Sequence, residues 1–511
     1  MSIVARTLHP EWNFSSDQPV PPRLQATGRS SPDDSSALND PEALVKRDVD
    51  SQPDGSGTMP YPGDRSALLS GGPRDGDGEE VHTGRSRQKE SHSALAYLHW
   101  AAAIASLWLA DKAVAKLAKS AHVDFPPPLI GMFIIIAGLV GSSAVSESGC
   151  QKIEAFFKPA LVWIQRWLPL FYVPSLIMLP LTLNTINGVA LTKILSIIAI
   201  GMPFTLLVTA QVAIVIRRIS QTELEPAKPE AQLPPFSKVH HIAWGATWLV
   251  SLAGCALSSS AQVTRYASSS YMLASTVGGY LIGCALPAKL TAFLHPMITT
   301  ACLANFSALL MGTLTGAGYE TTLRGFLTKN AAQQGAGDLL MSFLGVVILT
   351  FGFKIFSQRR LMVRHAPEIF GSTTASAAFS IFATAFAAKA AGLAPELARA
   401  LVPRCVTIAL ALPMAAALHA PAGICVAGVA LSGLLGANFG QAILSRFGFR
   451  DPIARGLSQA GAAHGLGTAA IASDEPEALP FCALAYALIG IISTVLVSIP
   501  AVRGSIFAIT A

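Results

Sequence analysis

Long apolar segments recur from residue 94 to residue 502, and each is long enough to cross a lipid bilayer. One helical crossing needs about 20 mostly apolar residues, and about twelve or thirteen segments of the chain meet that requirement. Hydrophobic residues make up 51% of the 511 residues and charged residues only 13%, about half of the ~25% that is typical of soluble proteins. The sequence therefore predicts an all-α, polytopic membrane protein in which some helices are broken.

The predicted crossings fall into two blocks that are separated by a polar stretch. They are 94–117, 127–145, 161–183 and 190–216, and then 242–260, 270–286, 295–313, 339–356, 369–391, 401–418, 423–442, 453–472 and 480–502. We therefore expect a four-helix membrane domain over 93–217, a polar linker over 218–241 and a larger transport domain over 242–511. In the larger domain we expect two inverted halves whose broken helices meet near the bilayer midplane.

Residues 1–92 have a different composition from the rest of the chain. They hold 10 Lys and Arg against 15 Asp and Glu and are rich in Ser, Pro and Gly. Such a segment cannot bury a core, so the sequence predicts a disordered acidic tail. It lacks the apolar region of a secretory signal, and it is too acidic for a typical mitochondrial transit peptide.

Basic residues near the ends of the apolar segments predict the orientation in the membrane. Lys and Arg cluster at 85–89, 217–218 and 359–364, and our count of crossings places all three clusters on one side. Cytoplasmic loops carry an excess of Lys and Arg, so we expect a cytosolic N-terminus. Whether the membrane is that of an organelle or of the cell stays open.

The segment 401–414 combines helix-breaking prolines with an ionisable side chain. Pro403 and Pro413 bracket an apolar stretch that contains Arg404 and Thr407. Proline breaks a helix, and a broken helix inside a membrane is tolerated mainly where it is buried in protein or lines a wet cavity. Helix N-termini and an Arg then favour an anion such as a carboxylate. The alternative is an Arg at a helix end that reaches toward the lipid headgroups.

A second unusual stretch surrounds His464. Gly465 and Gly467 follow this residue directly, and Thr468 closes the stretch. Each Gly weakens a helix by about 1 kcal/mol relative to Ala, so an unwound turn is expected here. His464 and Thr468 would then bind a carboxylate, or His464 would carry a proton. The alternative is a His that is hydrogen-bonded between packed helices.

Asp451, Pro452 and Arg455 precede this stretch and fit a structural role. Asp451 suits an N-cap position with Pro452 as the first helical residue. Asp451 and Arg455 are four residues apart and are expected to pair with each other.

Other classes of function have no support in the sequence. Seven cysteines occur without a CxxC pair, which argues against disulfide frameworks and zinc sites and favours cysteines that fill space between helices. Phosphate-binding and hydrolase motifs are absent, and so is any basic-aromatic stripe for nucleic acid. We therefore expect no enzyme, no cofactor, no metal and no nucleic-acid partner.

Residues 395–502 resemble the LrgB/CidB family, through Asp451–Gly456 and His464–Thr468 and more loosely through Pro403–Thr407. The first block resembles the LrgA/CidA family, through Phe125–Met132 and Leu168–Pro174. A fusion of these two blocks implies a transporter of small monocarboxylates such as glycolate, glycerate or pyruvate. Bacterial members are described as holin-like or antiholin-like, so a membrane pore is the alternative.

The predicted site brings six residues together around the anion. Arg404 would neutralise the carboxylate, and Thr407 and Thr468 would hydrogen-bond its oxygens. His464 would donate to the anion or carry a coupled proton, beside an unwound backbone at Gly465 and Gly467. The partners are thus a small organic anion, a coupled proton or sodium ion and the bilayer, while the oligomeric state stays open.

Overall fold

Helix is the only regular secondary structure in the residues that the computed structural model describes. These residues are 80–123, 125–184, 186–223, 235–258, 260–291, 294–328, 330, 333–471 and 475–511. Inside a bilayer no water satisfies the backbone, so each segment must bond its own N–H and C=O groups, as a helix does. Residues 1–79 of the predicted tail lie outside the described residues.

Twenty helices follow one another along the described chain. The first ten are α1 (Glu80–Ser120), α2 (Pro127–Val145), α3 (Glu147–Ile177), α4 (Leu179–Leu183), α5 (Gly188–Ser220), α6 (Lys238–Leu257), α7 (Ala261–Ala285), α8 (Ala288–Thr291), α9 (Pro296–Leu314) and α10 (Tyr319–Phe326). The other ten are α11 (Ala336–Met341), α12 (Leu344–Ser357), α13 (Arg359–Arg364), α14 (Ala366–Ala390), α15 (Pro395–Leu401), α16 (Ile408–Ala417), α17 (Ala422–Arg446), α18 (Pro452–Ile471), α19 (Leu479–Ser498) and α20 (Pro500–Thr510).

Eight helical spans in the described chain are long and apolar enough to cross a membrane. They are Pro127–Val145, Glu147–Leu183, Gly188–Ser220, Pro296–Leu314, Ala336–Ser357, Ala366–Ala390, Ala422–Arg446 and Leu479–Ser498. The other predicted crossings are helical too: α1, α6, α7 and α18 are less apolar, and 401–418 contains the short helix α16. The prediction of an all-α, polytopic membrane protein is confirmed.

Helix α1 begins earlier than the sequence predicted. It starts at Glu80, within the stretch 1–92 that the sequence assigned to the tail. Residues 80–92 contain Arg, Gln, Lys and Glu, all good helix formers, and they run directly into the first apolar segment.

Helix α5 ends the first predicted block but packs within the second. It lies against α14, α17 and α18, while α2 packs on α12 and α3 on α9. The described residues from Ser93 onward form one compact unit. We therefore propose that the blocks 93–217 and 242–511 share a single core.

The helix through Pro413 is continuous, which corrects the predicted break at this proline. Helix α16 runs from Ile408 to Ala417 with Pro413 inside it. The proline lies in the second turn, so it removes only one backbone hydrogen bond from the helix. The neighbouring residues Ala411, Leu412 and Met414 are buried, and their packing holds the helix together across the missing bond.

Small residues on α17 let α18 approach closely and thereby fix the position of its break. A Cβ added to Gly436 would lie 2.5 Å from Cβ of Ala463, and one added to Gly433 would lie 2.5 Å from Nε2 of His464. Membrane helices associate through such small faces because lipid provides no hydrophobic drive.

Replacing Gly456 by Ala is expected to destabilise the α18–α19 contact. A Cβ at this position would lie 2.9 Å from Cβ of Phe481 and still closer to the carbonyl of Ala478. Overpacking of this kind costs about 1–3 kcal/mol, so the purified variant should melt at a lower temperature in detergent. Gly278→Ala is the matched control, because no atom lies within 4 Å of its added Cβ. Equal melting of the two variants would contradict the contact.

Candidate functional site

The first interruption of the membrane helices is the segment 402–407 between α15 and α16. It folds as two successive turns, in which Arg404 N donates to the carbonyl of Leu401 (3.0 Å) and Val406 N donates to that of Pro403 (2.9 Å). Helix α16 begins after Thr407, whose carbonyl accepts the next free N–H groups. The turns direct the Arg404 side chain away from its own segment and toward α5 and α14.

Arg404 is buried and hydrogen-bonded by groups from two other helices. Its Nε donates to Oγ1 of Thr384 on α14 (2.9 Å). Its Nη2 donates to the carbonyl of Gly201 and to Oγ1 of Thr205 on α5, both at 2.9 Å. Its Nη1 lies 3.1 Å from Sγ of Cys405. Only 2% of the residue is exposed.

The charge of Arg404 has no acidic partner among the described residues. No carboxylate of the described chain lies within the 4 Å of an ion pair with this guanidinium. An uncompensated charge in a protein interior costs several kcal/mol. A Cβ at Gly201 would lie 2.8 Å from Nη2, so glycine is needed to seat the guanidinium. Such a buried cation favours an anionic ligand.

A cavity of about 720 Å³ between α5 and α14 gives Arg404 room for such a ligand. Its lining residues are Val189, Thr192, Lys193, Ser196, Ile197, Ile200, Gly201, Phe204, Phe379, Ala383, Thr384, Ala387, Ala390, Ala391 and Arg404. Two are cations and none is acidic, and Lys193 is tethered by its Nζ to the carbonyl of Gly392 (3.2 Å). Small-molecule pockets are of about this volume and mix apolar walls with a few polar groups.

Thr407 is buried at the end of the first interruption. It has extended backbone angles as the N-cap of α16, but its side chain makes no capping hydrogen bond. Thr407 does not line the cavity. Of the two residues that the sequence grouped together here, only Arg404 therefore lines the cavity.

The second interruption is a kink at His464 within α18. This residue has φ 42° and ψ −134°, whereas the residues on both sides are helical. A non-glycine residue in this region carries about 1–3 kcal/mol of strain, and such residues cluster at functional sites. Its Nε2 lies 3.0 Å from the carbonyl of Val429 on α17. A carbonyl only accepts, so Nε2 carries the proton and ties the kink to α17.

The residues after His464 differ in their surroundings. Gly465 has open space where a side chain would extend, whereas a Cβ at Gly467 would lie 2.9 Å from Cβ of Ala463. Thr468 is half-buried, with Oγ1 3.4 Å from Sγ of Cys482. The kink thus has one open side, next to Gly465.

Asp451 and Arg455 do not pair with each other, which corrects the sequence-based expectation. Asp451 caps α18 by accepting the N–H of Ala454 on Oδ1 (2.9 Å) and pairs with Nε of Arg217 on α5 through Oδ2 (2.5 Å). Arg455 pairs with Glu475 instead. The capping hydrogen bond fixes the Asp451 carboxylate at the start of α18, where Arg217 of α5 is its neighbour.

The structure does not join Arg404 and His464 directly. No hydrogen bond joins them in the described chain, and Arg404 alone of the six predicted substrate residues lines the cavity. Sequence reasoning missed Lys193, Thr205 and Thr384. Thr205 and Thr384 could have been found from the sequence, because hydroxyl residues recur at every fourth position along α5 and α14. This spacing places them on one face of each helix.

No metal site is formed by the described residues. Groups of three or more His, Cys, Asp and Glu side chains with metal-binding geometry do not occur among them. The seven cysteines are free, and five of them are buried. Cys405 has a role beyond filling space, because it contacts the guanidinium of Arg404.

Two interrupted helices, and a buried cation that has no acidic partner in the described chain and lies beside a cavity, are typical of multi-pass membrane transporters with broken helices. The comparisons with known proteins agree with that class. The LrgB-like family matches residues 276–502. Plastidal glycolate/glycerate translocator 1, chloroplastic, of Arabidopsis thaliana is 42% identical over 421 residues, which cover 82% of each chain. This chain belongs to the LrgB-like family.

A bacterial relative matches a smaller part of the chain. An uncharacterized protein of Haemophilus influenzae is 26% identical over 155 residues, which are 30% of this chain and 67% of the relative. No solved structure matches the chain significantly.

Proposed function

We propose that this protein carries small monocarboxylates of the glycolate and glycerate type across a membrane. The observation that carries the proposal is the buried Arg404 guanidinium, which has no acidic partner in the described chain and lines a cavity with a second cation, Lys193. The printed name of the Arabidopsis relative supports this substrate class. The chain acts as a carrier and not as an enzyme.

The cavity offers a separate group for each part of a small hydroxy acid. The Arg404 guanidinium provides a buried positive charge and an N–H of Nη1 for a carboxylate, because its Nε and Nη2 already donate to protein groups. Hydroxyls of Thr192, Ser196 and Thr384 lie in the same lining and suit the hydroxyl of the substrate. The walls are otherwise apolar, with Phe204 and Phe379 among them, so a second carboxylate would find only Lys193.

His464 would act on the site through the shape of the helix break. Its Nε2 is already engaged by Val429, so the imidazole ties the kink of α18 to α17. The open side of this kink at Gly465 and the half-buried Thr468 would then form part of the route that the anion follows. His464 is thus a positioning residue, which holds the kink and does not itself contact the anion.

Uptake of radiolabelled glycolate and glycerate into proteoliposomes tests the proposal. A carrier gives saturable uptake that excess unlabelled substrate inhibits and that distinguishes D- from L-glycerate. A holin-like pore would instead release an entrapped dye without saturation. Uptake no greater than that of protein-free liposomes, or dye release at the same rate as substrate flux, would overturn the proposal.

Neutralising Lys193 is expected to weaken substrate binding. Lys193→Gln should raise KM by roughly 3- to 10-fold, equivalent to about 0.7–1.4 kcal/mol, with little change in the maximal rate. Lys193→Arg should restore most of the affinity, because it keeps the charge in the cavity. Concentration dependence of initial uptake measures both values, and a KM unaffected by the loss of charge would remove Lys193 from the site.

The orientation of the chain completes the proposal. The excess of Lys and Arg at 217–218 and 359–364 supports a cytosolic N-terminus. An epitope at residue 1 would then be digested by protease added to the cytosolic face of intact vesicles and protected from protease added to the opposite face.

A further inference from the structure

A fully buried carboxylate lies at the start of α14, far along that helix from Arg404. Glu368 Oε1 accepts hydrogen bonds from Oγ of Ser220 (2.6 Å) and from Oγ1 of Thr222. Its Oε2 is buried and has no hydrogen-bond partner among the described residues. Ionisable groups buried in membrane helices are costly and commonly mark ion or proton pathways. The anion cavity does not include Glu368.

Two carboxylates at the start of α14 and α18 share the guanidinium of Arg217. Arg217 lies 3.8 Å from Oε1 of Glu368 but is bound more closely to Asp451, at 2.5 Å. One guanidinium therefore faces two carboxylates. His365 Nδ1 is 3.8 Å from Oε1, and the nearby Arg364 on α13 is exposed to solvent. Accepting one proton would make this cluster neutral.

His365 lies between α13 and α14 and is itself fully buried. Burial lowers the pKa of His365 and outweighs the opposing effect of the Glu368 carboxylate, so the imidazole is neutral at pH 7. Its Nδ1 contacts Oγ1 of Thr222 (3.0 Å), while its Nε2 has no hydrogen-bond partner among the described residues. A neutral imidazole can pass a proton between its two nitrogens.

A row of buried hydroxyls lies along α14 between this cluster and Arg404. On α14 they occur at every fourth residue from Glu368, over a length of about 24 Å at 1.5 Å per residue: Ser372, Ser376, Ser380 and Thr384. All four are buried. Ser372 Oγ and Ser380 Oγ have no partner in the described chain, and Thr384 accepts from Arg404.

Helix α5 lines the other side of this row. Thr205 accepts from Arg404, and Thr209 donates to Oγ of Ser376 at 2.9 Å. A Cβ at Gly461 of α18 would lie 2.5 Å from the same Oγ. A polar seam therefore runs between α5 and α14 from the Glu368 cluster to the anion cavity.

We propose that Glu368 is the proton-binding site of a proton-coupled carrier, that His365 is its partner, and that the α5–α14 seam links it to the Arg404 site. This inference rests on the proposed carrier function. A sodium ion fits the cluster poorly, because Arg217 would repel it and the Ser220 and Thr222 hydroxyls already donate to the carboxylate. Two hydroxyls lie within hydrogen-bond distance of Oε1 and can donate to the carboxylate once its proton has left.

Reconstituted full-length protein with glycolate as the probe tests the inference through two transport modes. Exchange of internal for external glycolate at equal pH needs no net proton movement, whereas accumulation against a gradient needs the proton. Glu368→Gln should keep exchange within about twofold of the wild type but lose accumulation driven by an acidic exterior. Glu475→Gln is the matched control, because it neutralises a partly buried, ion-paired carboxylate outside the seam and should keep both modes.

The outcomes separate the two proposals. If wild-type protein exchanges no glycolate, the carrier function itself is wrong. If it exchanges glycolate but shows neither proton-driven accumulation nor a pH change of an entrapped dye on glycolate entry, only the proton inference is wrong. Accumulation by Glu368→Gln equal to that of the wild type would also overturn it. If Glu368→Gln fails to fold, the wild-type dye measurement still tests proton coupling, and Glu368→Asp, which keeps a carboxylate, should retain accumulation. A Glu368→Asp variant with exchange but without accumulation would still implicate the residue.

Discussion

Replacing Arg404 by Met is expected to abolish glycolate uptake while the protein still folds. The substitution removes the only guanidinium that lines the cavity and keeps most of the side-chain volume. Loss of one partner of a buried charge pair costs about 2–5 kcal/mol, so uptake at subsaturating substrate should fall by roughly 30-fold or more. Because the cation has no acidic partner in the described chain, its removal should leave the melting temperature in detergent unchanged or raise it.

Arg399→Met is the control for that experiment. Arg399 lies on α15, five residues before Arg404, and its guanidinium stands 5.0 Å from the ring of Phe507 rather than in the cavity. Uptake by this variant should match that of the wild type. If Arg404→Met also transports at the wild-type rate, the cavity is not the substrate site.

Two substitutions at His464 are expected to distinguish the effect of backbone strain on stability from the effect of the imidazole on transport. Both Ala and Gly remove the hydrogen bond to Val429, which is worth about 1 kcal/mol. Glycine also adopts the angles φ 42° and ψ −134° without the strain that Ala would retain. His464→Gly should therefore melt at least as high as His464→Ala, whereas uptake should fall tenfold or more in both, because the kink is no longer tied to α17.

His419→Gly is the matched control for the His464 pair. His419 also has a positive φ of 51°, but it is exposed in the connection between α16 and α17. The change should relieve strain without altering transport. Wild-type uptake by His464→Gly would show that only the backbone matters at position 464 and would remove the imidazole from the proposed route.

The interruptions could be predicted from the sequence because their causes are local. Pro403 cannot donate a backbone hydrogen bond, and the glycines at 465 and 467 weaken the helix around His464. Pro413 shows the limit of the same reasoning. It lies in a helix whose neighbours bury nearly every side chain, and tertiary packing of that kind is not visible in a local pattern.

The partners of the charged residues could not be predicted, because they come from distant parts of the chain. Arg404 is held by residues about 200 positions earlier, and Asp451 pairs with a residue 234 positions before it. Apolar periodicity identifies which segments are helices but not which helices are neighbours. Lys193 was missed because a lysine near the start of a membrane helix is typical of a residue that faces the headgroups. The inverted repeat stays a prediction.

The guanidinium of Arg404 belongs to the second block, but the carbonyl of Gly201 and the hydroxyl of Thr205 belong to the first. A shortened gene product that began at residue 242 would therefore carry the positive charge without two of the four groups that hold it. It would also lack the side of the cavity that α5 forms. Neither this fragment nor the first block alone would therefore transport the substrate. Natural selection for transport therefore acts on the two blocks together.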